Sequence, residues 1–497
     1  MRSILVILGI VSAIIFISDC PDAAKMGYSE GDWVSFLPAR MVNSIAMDQN
    51  TIYFATSEAG VLRFDRYSES WRDPLTTSDG LPSNNIIRVG FDQGRNELWI
   101  DTDRGAGIYE PTFQNFILGG VFPPGLEQIQ RSYRPDNLFV EFGYTYFPGY
   151  ILDPQGRRFN ISRALLDDRY RAWLGFRGLG PAVVNTRAGD LRFLRFGPFS
   201  ADQRALVSDG EYLYSGGYPD PGYGSGIAVL ELRDLEWSYY ESPYVIGLPD
   251  ARVNCAEVSN QSVWFGTASG LVRFDISQRS FSTYTIFTGL LSNYVSAVKA
   301  DGKYLWVGTD NGLNLIRFVQ GEKDTVDTQL LPRDQSFLGQ FIYDIQTDSD
   351  FIYVGNQQGV FFRPKTGENW LSYGGATAAG RRDITAILST KSGLWFGQPG
   401  AIIFFNPKDE VRTEYTPPGL GDRAVVNDLI AYQDKIFAAT DDGLVGVKPA
   451  TGESRIFAEK DGLIDSQVYS LAIYREYLWC ATPKGLTRVY IPALKIY

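Results

Sequence analysis

Histidine is absent from all 497 residues. That absence removes Ser–His–Asp and Cys–His nucleophile pairs, His-ligated zinc and histidine phosphorelay from this chain. Cys255 and Cys480 sit in the strand-like apolar runs "RVNCAEV" and "LWCAT", where small free thiols belong to a core. Two cysteines so far apart, with no histidine, do not suggest a metal site. Carboxylate pairs occur in "LLDDRY" and "ATDDGL", at places expected of turns or solvated edges. The acidic phrases "TDNG" and "TDDG" lack the spacing of a calcium loop and read as hairpin turns. No phosphate-binding glycine motif follows a strand and opens a helix. The expectation is no catalytic residue, no metal and no cofactor.

Two groups of residues keep a task. The first is Cys20. "MRSILVILGIVSAIIFISDC" places Arg2 before an apolar run from Ile4 to Ile17, shorter than the ~20 residues of a bilayer span but suited to a signal-peptide core. "ISDC" resembles the lipobox of bacterial lipoproteins, with Asp19 where that motif has a small residue. The resemblance implies lipidation of Cys20. Ordinary cleavage and an uncleaved anchor stay open. The second group is aromatic. Three long segments, "FGYTYFPGY" (142–150), "FRGLGPA" (176–182) and "GYPDPGYGSG" (217–226), offer Tyr144, Tyr146, Phe147, Tyr150, Arg177, Tyr218, Asp220 and Tyr223. Aromatic loops on a rigid scaffold suit a protein or glycan ligand. Replacing Tyr146, Tyr218 and Tyr223 together by alanine should then remove binding and spare stability. If the loops instead fill space between two rings, the surface is sought over the links at 289–293 and 462–466.

What positions these residues is a repeat. Aromatic anchors recur at Tyr53, Trp99, Phe139, Trp173, Tyr214, Trp264, Trp306, Tyr353, Trp395, Phe437 and Trp479; the last four are each 42 residues apart. Such a period means stacked or radial units. The unit around Trp264 reads "RVNCAEVS", "SVWFGTA", "GLVRFDI", "SFSTYTIF", four apolar runs separated by turn residues, the signature of a four-stranded antiparallel meander. No window has a convincing helical period, although "RALLDDRYRAWLG" (163–175) is ambiguous. Small residues two places after the anchor (Gly266, Gly308, Ala439, Ala481) allow close packing near a crowded axis. The expected fold is all-β: a β-propeller of about eleven units. Two rings are expected, with one large ring as the alternative. The expected parts are 1–20 (signal), 21–249 (irregular blades) and 250–497 (regular blades). "GDWVSFL" looks like a fourth strand without a blade, and the last unit lacks one, so the two would close the ring.

"DGLPSNNII", "TGLLSNYVSAV" and "DGLIDSQVYSL", each before an aromatic anchor run, resemble the two-component regulator propeller repeat. The resemblance implies an extracytoplasmic sensor-type propeller, here without the kinase part. Lys and Arg number 46 against 57 Asp and Glu, a net charge of −11, and no basic cluster invites nucleic acid. The function expected is a non-enzymatic binding or sensory propeller of the bacterial envelope, in the periplasm or at the outer membrane surface. It would touch the membrane only through its N-terminal lipid or signal segment and would hand its signal to a separate signalling or secretion partner. The alternatives are a structural or assembly factor for secretion or surface attachment, and a propeller enzyme acting on polysaccharide.

Overall fold

The computed structural model describes residues 28–29, 31–127, 137–141, 143–259, 261–317, 325–327, 337–367, 369–373 and 383–497. Cys20 lies outside them. Among the described residues the chain is strand, turn and short 3₁₀ segments, with no α-helix. The segment 163–175, ambiguous in sequence, belongs to two paired strands, Arg158–Leu166 and Arg171–Phe176. The strands build ten antiparallel sheets, nine of four strands and one of six, an arrangement of the β-propeller kind. We number them I (42–75), II (86–118), III (145–193), IV (203–241), V (253–284), VI (295–327), VII (342–372), VIII (386–415), IX (426–457) and X (470–490).

The phrase repeated through the sequence has a local cause. In five sheets (II, V, VI, IX and X) a threonine ends the second strand and a glycine opens the third. Thr267 Oγ1 donates to the Gly270 carbonyl at 2.8 Å and accepts from the Ser269 N–H at 3.1 Å; Thr309–Gly312, Thr440–Gly443 and Thr482–Gly485 repeat the clamp. Gly270 has φ +141°, a region that β-carbon-bearing residues avoid. The small residue before the threonine meets the neighbouring sheet. A β-carbon on Gly308 would lie 2.7 Å from Ile342 Cγ2, and one on Gly266 2.7 Å from Val295 Cγ1.

The first strands order the sheets. Those of IV, V, VI, VII, VIII, IX and X contact one another in sequence, and X returns to IV. A shorter series runs III–I–II. In eight sheets a register shift near the start of the first strand leaves one residue unpaired, a β-bulge that re-aims its side chain. That side chain often bonds the next sheet: Asn254 Nδ2 donates to the Val295 carbonyl at 2.9 Å, Ser296 Oγ to Ile342 at 2.6 Å and Asn427 Nδ2 to Val468 at 2.8 Å. Ser162 Oγ does the same to Val42 at 2.7 Å and Asn43 Nδ2 to Ile86 at 2.8 Å.

Trp33–Phe36 is the fourth strand of sheet X, pairing Trp33 with Val489 and Phe36 with Leu486, as the orphan run "GDWVSFL" implied. Sheets I–III are thus inserted between the closing strand and the rest of the closed series. The count of eleven units is not met among the described residues. Phe139 is 73% exposed and makes only an isolated bridge to Asp190. The residues after it do not form their own sheet. Thr145–Phe147 and Tyr150–Leu152 make a hairpin that extends sheet III. Residues around it also cover the free faces of the short series. Phe122 packs on Trp99 of sheet II, and Tyr144 on Phe193 of sheet III.

One apolar cluster joins the two series. It contains Phe36 and Trp479 of sheet X, Phe54 and Trp71 of I, Trp173 of III and Trp237 of IV, with Phe196 between III and IV. Phe36 lies 5.2 Å from Trp479 and 5.8 Å from Phe196. Beside it Asp167, fully buried, accepts from Arg171 and Trp173 at 3.0 and 3.1 Å and faces Arg66 at 3.3 Å. Of the sequence pair "DD", only Asp168 is solvated.

Candidate functional site

Two of the concavities among the described residues gather convergent polar and aromatic side chains. The first is a cleft of about 250 Å³ at the seam between sheets III and IV. Its hub is Arg40, in the link between the closing strand and sheet I. The Arg40 carbonyl accepts from the Gly178 and Gly180 N–H groups at 2.8 and 2.9 Å. Its guanidinium pairs with Asp220 at 2.8 Å, donates to the Phe199 carbonyl and lies 4.0 Å over the Tyr223 ring. The opposite wall is Arg157, bonded to both Glu241 oxygens at 2.7 and 2.8 Å. Tyr144, Phe159, Phe193, Phe196, Phe199, Tyr223 and Tyr239 line the rest. Burial raises the Tyr144 and Tyr239 phenols above their ordinary range, so both are neutral hydrogen-bonding groups.

The predicted residues divide. Tyr144 and Tyr223 line the cleft, and Asp220 anchors it from behind. Arg177 is exposed and bonds through its backbone N–H to the Asn160 carbonyl at 3.0 Å. Phe147 stacks on Tyr150 at 5.0 Å, and Arg158 covers that ring at 3.9 Å. Tyr146 lies in the same hairpin, against the core of sheet III. Tyr218 points elsewhere: its hydroxyl donates to Asn254 Oδ1 at 2.9 Å, beside the central channel. The three segments were read as like turns of three adjacent units. Two of them are turns between second and third strands, in sheets III and IV, and the first is the added hairpin. Arg40, Arg157, Phe199, Tyr239 and Glu241 were not read from sequence. Nothing in "LPARMVN" marks Arg40, because its partners, Gly178 to Tyr223, lie far along the chain and meet it only at the seam.

The second concavity is a channel of about 550 Å³ lined by the first strands of sheets IV to X. These strands have a free edge toward the axis, and side chains satisfy it. Glu257 accepts from the Ala300 N–H at 3.3 Å, Asp344 from Ile387 at 2.6 Å and Asp428 from Leu471 at 2.8 Å, each reaching the following sheet. Burial pushes the Asp344 carboxyl up to about 7, against the pull of its N–H donors; burial also lifts Asp428, to about 6. Lys299 is held by Glu257 at 3.2 Å. A charged residue inside an apolar first strand, as in "FIYDIQT" and "VVNDLIAY", was a legible signal for this site. The two thiols are free. Burial pushes Cys255 up to about 12 and raises Cys480 further, so neither is a ready nucleophile.

No family model and no curated protein matches the sequence. Among solved structures, the chain is similar to the extracellular domain of a putative hybrid two-component system of B. thetaiotaomicron, at 15% identity and a TM-score of 0.47 over 91% of this chain and 70% of that one. A second such domain from the same organism gives 14% and 0.49, over 90% and 68%. PorZ, a surface component of the type-IX secretion system of Porphyromonas gingivalis, gives 14% and 0.48, over 91% and 69%. Among the described residues no helix is long and apolar enough to cross a membrane.

Proposed function

We propose that this chain is a non-enzymatic binding propeller of the bacterial envelope, of the two-component regulator propeller type. In this reading the closed series is a seven-bladed ring and the short series an arc docked on it. The ligand, a glycan or a protein segment, enters the seam cleft. The observation that carries the reading is that both series build this cleft. A ligand between Tyr144 of sheet III and Tyr223 of sheet IV touches both, so binding is coupled to how they sit together. Aromatic walls favour flat apolar faces, and the surrounding guanidiniums supply oriented donors. The double substitution Tyr144→Ala/Tyr223→Ala, assayed on a glycan array and by capture from envelope extract, should lose the species that wild type retains. Full retention by the double variant would refute the cleft as the site. Export follows from the N-terminal segment, with Cys20 as the lipid anchor. Labelling with an alkyne fatty acid should mark wild type and spare Cys20→Ser; an unlabelled wild type excludes the anchor.

A further inference from the structure

The channel of the closed series has a rim that the seam cleft does not explain. Tyr469 and Tyr218 flank Arg204, whose guanidinium lies 4.0 Å from the first ring and 5.1 Å from the second. Phe341 continues the belt, 6.0 Å from Tyr294 and 5.1 Å from Tyr343. The belt already holds one guanidinium, contributed by the chain itself. Below it the charges do not balance. Arg204 is matched by Asp202 at 2.7 and 2.9 Å, and Lys299 by Glu257. Asp344 and Asp428 accept N–H groups, and Asp428 also a serine hydroxyl. Among the described residues neither forms an ion pair, and the Lys299 ammonium, held by Glu257, acts on both only at longer range.

We infer that the mouth of this channel binds a lysine or arginine side chain presented by a partner polypeptide. The aromatic rim takes the stem and the outer face of the cation, and the two unmatched carboxylates below take its charge. The chain's net charge of −11 adds long-range attraction for a basic segment. A neutral sugar would use the same rings but would leave the carboxylates without a counter-charge. This inference stands apart from the seam cleft, which shares no lining residue with the channel.

The probe is hexalysine amide, with its fully Nε-acetylated form as the neutral control, titrated calorimetrically into the full chain at low salt. Hexalysine should bind and the acetylated peptide should not. Asp344→Asn/Asp428→Asn should weaken binding about tenfold or more, a loss of ~1.4 kcal/mol. The surface control Asp422→Asn/Asp442→Asn should keep the wild-type affinity. Ala256→Lys, which sets a fixed ammonium in the channel wall, should also block the peptide, and melting curves verify that each variant is folded. Affinity should rise as pH goes from about 5 to about 8, because Asp344 and Asp428 ionise across that range. The other ionisable side chains on the wall are Arg204, Cys255, Glu257, Lys299, Tyr343, Tyr432 and Tyr469. The inference is overturned if wild type does not bind hexalysine, if the surface control loses as much as the channel variant, or if a neutral hexasaccharide such as maltohexaose binds in its place.

Discussion

Asp344 and Asp428 illustrate how a single carboxyl serves a free strand edge at a cost that depends on pH. Each accepts N–H groups that have no partner on the axial side of the sheet, yet burial outweighs those bonds and leaves the acids near 7 and 6. An ordinary aspartate in the unfolded chain titrates near ~3.9. The folded chain therefore holds more protons between these values. Its stability from these groups is complete below about 4 and is lost as pH rises through 6 to 7. Asp344→Asn/Asp428→Asn removes that loss but keeps only one of the two accepting oxygens at each position, a cost that does not vary with pH. Relative to wild type, the variant should gain roughly 1–2 kcal/mol between pH 5 and pH 8, after allowing for the water in the channel. Urea unfolding at the two pH values checks this, and a constant difference between the proteins would contradict it.

The strand Trp33–Phe36 carries the argument at the scale of the element. All four residues are buried, and Trp33, Val34 and Phe36 fill cores on both sides of sheet X. Its partner Gly485–Tyr490 would otherwise present an open edge. Burial of three large apolar side chains is worth about 1.5–3 kcal/mol each. Deleting residues 32–37 should therefore cost roughly 5 kcal/mol. It should also speed amide exchange first in Gly485–Tyr490 rather than in the sheets opposite. Unchanged protection of that strand would mean it is held without the N-terminal segment. The bulge residues act at the same scale: Asn254, Ser296 and Asn427 tie each first strand to the next, so the order of sheets is written partly in side-chain hydrogen bonds.

For the whole molecule, the seam decides cooperativity. The short series is held to the closed one by the shared apolar cluster, the Arg488–Asp73 pair and the Arg40 hub. Arg40→Ala strips Asp220 of its cation and Tyr223 of its cover, which should cost roughly 2–3 kcal/mol for a half-buried pair. Because the core beneath is common to both series, calorimetry should record one transition at lower temperature. Two separate transitions would show that Arg40, and not the apolar cluster, couples them.

Much of this was legible along the chain because its causes are local. The Thr-x-x-Gly clamp, the small residue before it and the alternation of four short runs each involve residues close in sequence, and they yield four-stranded sheets wherever they recur. The closing strand was legible too, since an amphipathic run with no unit of its own must pair with the unit that lacks one. The course of the sheets was not. That seven first strands meet around a channel while three others stop short depends on contacts between residues far apart, such as Ser162 with Val42. The irregular anchors hid it: Phe139 has the right residue type and the wrong neighbours, and the hairpin after it joins sheet III. The aromatic segments were found, but their meeting around Arg40 was not, because an arginine's partners are chosen by where the sheets dock. Local pattern determines which residues become strands and turns; tertiary packing alone determines which of their exposed ends face one another.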